Sequence, residues 1–454
     1  MIEQVIKINT IRHRLGIMNQ IKTVINFSRR RHLSQSTLLL SPFILAACGS
    51  STSDTIIEQN EFIEGNAGND LVGPFETALW FRSNGGNDQI FGSPEEDIIY
   101  LGSGESIVQT YAGDDLISFS GWGNQLDTGS GIDTLNIALS TSSNVIIDVP
   151  NEIMYRENLL SSFNNVIAGF EVINASLSET NFKIISTGNA SQIQTGIGND
   201  VIYVTGSTAG LDGDEGTDTV HLTVQSLGGF SVINLLDEIY QSGSGNPTHS
   251  LNNFENVIVE GNNEVRIIGN DFANYLAGGE GDDIIIGNGG SDTLLGGNGK
   301  DVFVLANPIV SGEMDTILDF ETGSGGDVLQ FQYGGTLSSS GFSFRVVDLV
   351  SGGKKTLTNN TEILLLTGSS YFNEDQLLSA INGTHGLEEH HAQLHGSSQI
   401  CVWENQSRGS LNVSLISDEE IDGLFSDTIY TSVQLNDLNL SEFANFSAAN
   451  FQIL

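Results

Sequence analysis

The chain has 454 residues, of which 53 are glycine and only 6 proline, so glycine stands near 12% against a usual share of about 7%, which excludes collagen-like and proline-rich disordered chains. Acidic side chains number 56 against 16 basic ones, a formal net charge of -40 at pH 7. Such a surface has nothing to answer phosphates, so nucleic acid is excluded as a partner, and a compact body of this charge repels itself unless cations or a strongly solvated surface offset it.

Residues 1–47 read as an export segment. Basic residues (Lys7, Arg12, Arg14, Lys22, Arg29, Arg30, Arg31) precede a short apolar run from Leu38 to Leu45, which ends in Leu45-Ala46-Ala47-Cys48-Gly49. The run is too short to span a bilayer as a helix. Met18 is an alternative start, and the three arginines of Ser28–Leu33 match a twin-arginine address only weakly. Residues 48–60 are a linker.

From residue 61 to 138 a nine-residue grid begins. Counting from "GNAGNDLVG", the sixth positions fall on Asp70, Leu79, Asp88, Asp97, Ser106, Asp115, Asn124 and Asp133, and the eighth on Val72, Phe81, Ile90, Ile99, Val108, Ile117, Leu126 and Leu135. The eighth position is apolar every time. A strand-rich insertion, 139–186, interrupts the grid. A second array, 187–224, resumes it with Ser191, Asp200, Ala209 and Asp218 at position six and Ile193, Ile202, Leu211 and Val220 at position eight. After a linking segment, 225–255, the third array (256–306) carries the clearest repeats, "GGEGDDIIIGNGGSDTLLGGNGKDVFVLA". There Asp283, Asp292 and Asp301 hold position six and Ile285, Leu294 and Phe303 position eight. Backward steps give Asn274 with Leu276, Val265 with Ile267 and Asn256 with Ile258. Residues 307–370 read as a cap that closes the array, and 371–454 as a small β-rich C-terminal module.

A fixed short period marks a solenoid, in which no unit buries its apolar face alone and stacking supplies the core. Nine residues suit a strand of about three residues and a turn of about six, with position eight inward and its neighbours outward. Two units make one lap, so equivalent turns recur every second unit. The predicted fold is all-β, a parallel β-roll or β-solenoid in several blocks. Glycine lets turns on successive laps approach closely, and each aspartate aims a carboxylate into the gap. The predicted facing pairs are Asp70 with Asp88, Asp97 with Asp115, Asp115 with Asp133, Asp200 with Asp218, and Asp283 with Asp301, while Asp292 faces Asn274. Carboxylates and carbonyls are hard oxygen ligands, the preference of Ca2+. The candidate metal set is these residues together with Gly278, Gly279, Gly281, Gly287, Gly290, Gly296 and Gly299. A metal-free alternative has the aspartates merely satisfying turn amides.

The run from Gly278 to Phe303 resembles the nonapeptide GGxGxDxUx of the repeats-in-toxin (RTX, haemolysin-type) calcium-binding proteins. That resemblance implies a β-roll that folds on binding calcium. It covers roughly residues 60–335 and is degenerate in the first two arrays, where Glu95 and Glu96 stand in a turn that the family fills with glycine. "LNNFENVIVEGNNEVRIIGNDFANYLAGG" (Leu251–Gly279) is similar to the family's linking segments, and "MDTILDFETGSGGDVLQF" (Met314–Phe331) to its closing strands. Leu45–Cys48 resembles a lipoprotein box, which implies lipidation of Cys48 and membrane anchoring, whereas the end Asn450–Leu454 looks like that of proteins exported by type I secretion. The two addresses conflict, and the lipoprotein route ranks first. Both place the protein outside the cytoplasm, extracellular or on the cell surface.

Nothing points to an enzyme. HExxH and GxSxG are absent; His391-Ala-Gln-Leu-His395 lacks the glutamate and, with His385, His390, Glu388 and Glu389, reads as a solvated loop. Cys401 lies in the apolar run Ile400–Trp403 and reads as core. The expected activity is calcium binding, with calcium the one cofactor. An adhesin with a cell-surface ligand stands second and a hydrolase or polysaccharide-modifying enzyme third.

Overall fold

The computed structural model describes residues 62–157, 164–187, 192–206, 210–224, 230–243, 248–305 and 313–331. Toward the C-terminus it describes 343–348, 355–356, 362–367, 370–381, 387–388, 398–417, 428–436, 438, 442 and 445–453. Cys48, Ser191, Ala209, Glu389 and His385, His390, His391 and His395 lie outside the described residues.

Short strands of two to five residues alternate between two sheets, so that each strand pairs in parallel with the one a lap later. In sheet one Trp80–Arg82, Ile98–Tyr100, Leu116–Phe119 and Thr134–Ile137 follow one another, with Phe81, Ile99, Ile117 and Leu135 in register. Sheet two runs in the same way through Gln89–Phe91, Ile107–Gln109 and Gln125–Asp127. Inward and outward side chains alternate along each strand. All eight position-eight residues of the first array are at most 1% exposed, as are Ile193, Ile202 and Val220 in the second and Ile285, Leu294 and Phe303 in the third. Both sheets bury this row against each other in one continuous core.

One position departs from the grid. Val257, not Ile258, points inward, because Asn256 pairs with Tyr275 and Glu255 therefore occupies position six. The half-lap after it carries an extra residue, which moves every side chain of the strand to the opposite face.

The two interruptions are three-stranded antiparallel inserts, one in each sheet. In sheet two Asn165–Ala168, Ile153–Arg156 and Val145–Asp148 lie, in that order, between Gln125–Asp127 and Phe182–Ser186. In sheet one Thr248–Asn252, Ile239–Gln241 and Ser231–Asn234 lie between Gly210–Asp212 and Val265–Ile268. Each insert puts three strands where the coil would place one. The first carries sheet two ahead, the second lets sheet one catch up, and both sheets enter the third array in step.

The C-terminal residues do not form a separate body. Thr428–Leu435 pairs in parallel with Asp315–Ile317, and Ser410–Ser417, Ser398–Asn405 and Glu362–Thr367 extend sheet two from it. Their one face, with Leu365, Val402, Val413 and Val433, joins the roll's core; on the other, Leu364, Cys401 and Trp403 pack with Leu377 and Ile381 of the helix Glu374–Ile381. Cys401 is fully buried, as its apolar setting predicts, and burial pushes its thiol far up from its ordinary pKa. The strand Phe451–Ile453 pairs in parallel with Val328–Phe331 and ends sheet one. Residues 58–454 cluster as one unit.

Candidate metal centre

The turns set the site. At position one of the turn, a side chain on Gly278, Gly287 or Gly296 would occupy the space filled by Oδ2 of Asp283, Asp292 or Asp301 in the same turn. At position four, Gly299 has φ +131°, and a Cβ there would run into the carbonyl of Gly281 one lap earlier. At position four of the Asp301 turn only glycine lets the laps stack this tightly, whereas position one also takes Ser83, Thr110, Thr128 and Thr195 in the turns of Asp88, Asp115, Asp133 and Asp200.

The aspartates form a ladder between laps. Each Oδ1 accepts the backbone N–H of the position-six residue one lap earlier: Asp70 to Asp88 at 2.9 Å, Asp97 to Asp115 at 2.7 Å, Asp115 to Asp133 at 2.8 Å, Asp200 to Asp218 at 2.7 Å, Asn274 to Asp292 at 2.8 Å and Asp283 to Asp301 at 2.8 Å. All six pairs read from the sequence meet in this way. The ladder also crosses the interruptions. The N–H of Asp133 reaches Glu171 and that of Asp218 reaches Glu255, at 3.0 and 2.7 Å, while Asp292 reaches Asp315 and Asp301 reaches Asp327, at 3.0 and 2.9 Å. The carboxylate of Asp319 further accepts the amides of Gly296 and Gly297.

Sequence reasoning missed these five acids because the inserts and the cap move them off the nine-residue count. It also missed position five, where a second ladder runs the other way. Asn69, Asn87, Asp114, Asn181, Asn199 and Asp282 each accept the amide of the position-five residue one lap later, at 2.8–3.1 Å. That regularity was legible: an Asn or Asp precedes many of the position-six residues.

One oxygen per turn is left over. Oδ2 of Asp88, Asp115, Asp133, Asp200, Asp218, Asp283, Asp292 and Asp301 is buried and accepts no hydrogen bond. An unpartnered buried carboxylate oxygen is costly, and the cost appears in the acidities. Burial, reinforced by Asp327, Asp283 and Asp319, pushes Asp301 up to about 8. Burial with neighbouring acids pushes Asp115 and Asp218 up to about 7 and Asp283 up to about 6. Asp88, Asp133 and Asp200 are raised for the same first reason. Burial also raises Asp292 and Asp315, whose carboxylates lie near each other. Among the described residues no lysine or arginine pairs with any of the eight.

Three predicted members of the set are different. Oδ2 of Asp70 accepts the amide of Asn66 and its Oδ1 the Asn66 side chain, both at 3.0 Å. Asp97 accepts the Ser93 amide at 2.8 Å and hydroxyl at 2.9 Å. The oxygen of Asn274 accepts the Asn270 amide at 2.9 Å, and its nitrogen donates to the Glu255 carbonyl at 2.9 Å. In each case one partner comes from position two of the same turn.

The eight open oxygens fit a hard cation. Among the described residues no three acidic, histidine or cysteine side chains gather at one point. A cation here would draw on one or two carboxylates and on turn carbonyls, an all-oxygen set that suits calcium and gives a transition metal neither nitrogen nor sulfur.

A parallel β-roll with carboxylate-lined turns is thus the class that fold and site define. The family described as RTX calcium-binding nonapeptide repeat (4 copies) matches residues 80–108, 91–124 and 268–303. The chain carries RTX repeats in its first and third arrays, and repeats of this kind bind Ca2+. The second array lies outside the matched stretches, although Asp200 and Asp218 make the same ladder. No curated protein matches the chain.

Proposed function

We propose that this protein is a secreted or surface-anchored β-roll that folds on binding calcium between stacked turns, and that binding rather than catalysis is its work. The observation that carries the reading is the set of eight buried aspartate oxygens without a partner. Bound calcium supplies the positive charge that these oxygens lack. The chain's own part is to place them. Oδ1 ties the turn to the preceding lap, Oδ2 stays free to ligate, and Gly278, Gly279, Gly281, Gly287, Gly290, Gly296 and Gly299 keep the backbone close enough for carbonyls to join. We assign ligation to Asp88, Asp115, Asp133, Asp200, Asp218, Asp283, Asp292 and Asp301, and a hydrogen-bonding role to Asp70, Asp97 and Asn274.

A site that does not exist in the unfolded chain makes binding energy into folding energy. In a calcium-poor cytosol the acidic chain stays unfolded, and outside it orders, with each site of an extracellular module expected near 10⁻⁴ to 10⁻³ M. Circular dichroism during calcium titration, with magnesium as control, tests this: the β signal should rise cooperatively with calcium alone. A β signal already complete in chelator would sink the proposal. Anchoring through Cys48 is tested separately, since labelled fatty acid should enter the wild-type chain and not Cys48→Ser. Among the described residues no helix is long and apolar enough to cross a membrane.

A further inference from the structure

Building on the reading that open turn oxygens of this chain take calcium, we infer that the second insert supplies part of a calcium site of its own. The Asn253 carbonyl and the Glu255 carboxylate, set against Asp218 of the second array, form a junction at which a bound cation fastens the insert to the roll. Neither insert residue belongs to a nine-residue repeat.

Both inserts return to the roll through the same kind of corner, Gly169-Phe170-Glu171 after the first and Asn253-Phe254-Glu255 after the second. Three residues here replace the six of a repeat's turn. The first residue of each corner has a positive φ, 87° at Gly169 and 55° at Asn253. The phenylalanine is buried, and the glutamate accepts the position-six amide of the lap before. Asparagine tolerates this left-handed conformation, and the Asn253 side chain is tied down by donating to Asp212 at 2.8 Å. On the far side the Asn274 side chain donates to the Glu255 carbonyl at 2.9 Å.

The two corners differ in what faces them. At the second, position one is Gly213, whose N–H donates to the Asn252 carbonyl at 3.0 Å, so that Asn253 stands at position one of the next lap. A Cβ on Gly213 would lie 2.8 Å from Oδ2 of Asp218 and 2.4 Å from the Asn253 carbonyl oxygen. In the third array a Cβ on Gly278 would lie 2.3 Å from Oδ2 of Asp283 and 2.8 Å from the carbonyl oxygen of Gly296, position one of its next lap. The same two oxygens border the same space, but at the junction the carbonyl belongs to the insert. Asp218 is fully buried and its Oδ2 has no partner. With Glu255 the set is all oxygen, which suits calcium. At the first corner position one is Thr128, whose hydroxyl donates to the Ala168 carbonyl at 3.4 Å. Its side chain takes the space that Gly213 leaves open, so the insert-borne site is confined to the second corner. That insert is the one that brings sheet one back into step, and the ion therefore ties the register of the third array to calcium.

The test uses the full chain, with calcium counted by equilibrium dialysis and protection followed by hydrogen exchange along a calcium titration. Glu255→Gln keeps an acceptor for the Asp218 amide and removes the charge. It should bind one calcium fewer and need about tenfold more calcium to protect Ser231–Asn234, Ile239–Gln241 and Thr248–Asn252, because affinity follows ligand charge. The midpoints for Ile284–Ile286 and Val302–Leu305 should move by less than about twofold. Asp218→Asn should lose the same ion, and the double variant no more than either single one. Glu171→Gln, at the first corner, should lose none. An unchanged calcium count in Glu255→Gln, additive losses in the double variant, an ion lost in Glu171→Gln, or an equal shift in the third array each overturns the assignment. If no strand responds to calcium, the calcium reading of the whole roll falls and the junction site with it. If the third array responds while the insert strands ignore both calcium and Glu255→Gln, only the junction site falls.

Discussion

The first and third arrays build the same roll by different means. In the third, each of Asp283, Asp292 and Asp301 keeps an unpartnered oxygen, and Asp315, Asp319 and Asp327 continue the acidic line beyond them. In the first, Asp88, Asp115 and Asp133 keep one too, but Asn66 and Ser93 reach forward to Asp70 and Asp97, Leu79 holds one position six, and Ser106 and Asn124 hold two others with neutral side chains. A stacked turn can thus be satisfied by a cation or by a polar side chain at position two of its own turn. A degenerate repeat is then a turn whose hydrogen bonds are already made within the protein, and it keeps its place in the coil.

The largest effect is expected from removing calcium: hydrogen exchange in chelator should lose protection across 265–331 by orders of magnitude, and much less across 62–106. Equal loss in both arrays would erase the distinction. Next, Gly299→Ala should cost about 3 kcal/mol in calcium-saturated stability, since a Cβ meets the Gly281 carbonyl and φ is positive, each a penalty of order 1–3 kcal/mol. Denaturant melts measure it.

Asp301→Asn should act with opposite signs in the two conditions. It should weaken calcium binding about tenfold, yet stabilise the chelated chain, because a raised acidity means that the ionised form is the one the fold disfavours. Asp97→Asn should leave calcium affinity within about twofold, and calorimetry on the two variants separates the cases.

Acidity provides a further contrast. The folded-state pKa values of Asp283 and Asp301, about 6 and about 8, lie above the ordinary 3.8, so the folded chain holds more protons than the unfolded one in between. Stability without calcium should be fully present below about pH 4 and be lost as pH rises through 6 to 8, while calcium affinity should fall as pH drops through the same window. Chelated samples followed by circular dichroism from pH 8 to pH 4 should gain β signal. The smallest effect is Ser93→Ala, about 1 kcal/mol from the lost hydroxyl, with an added dependence on calcium at that turn.

Much of the roll was legible because its period is short and its demands are local. An apolar residue at every eighth place and glycine at tight corners need only neighbours within one lap, so the inward row from Val72 to Phe303 and all six facing pairs could be read from spacing alone. Where the count is broken, spacing says nothing. Glu171, Glu255, Asp315 and Asp327 take the places of position-six aspartates at separations of 38, 37, 23 and 26 residues, which no period contains. Spacing places Ile258 inward, because one added residue is invisible in a pattern where both Val257 and Ile258 are apolar.

The sequence by itself therefore determined the coil, its core and the turn carboxylates that keep the nine-residue count, since each follows from chemistry repeated within reach of the same strand. Only the tertiary structure decided which carboxylates remain without partners, how the two inserts offset each other, and that the last residues close the roll: the Asn450 side chain donates to the Asp327 carbonyl at 2.9 Å across 123 residues of chain. The physical reason is that hydrogen-bond satisfaction is a property of what surrounds an atom in space, and those surroundings come from distant segments whose meeting no local pattern encodes.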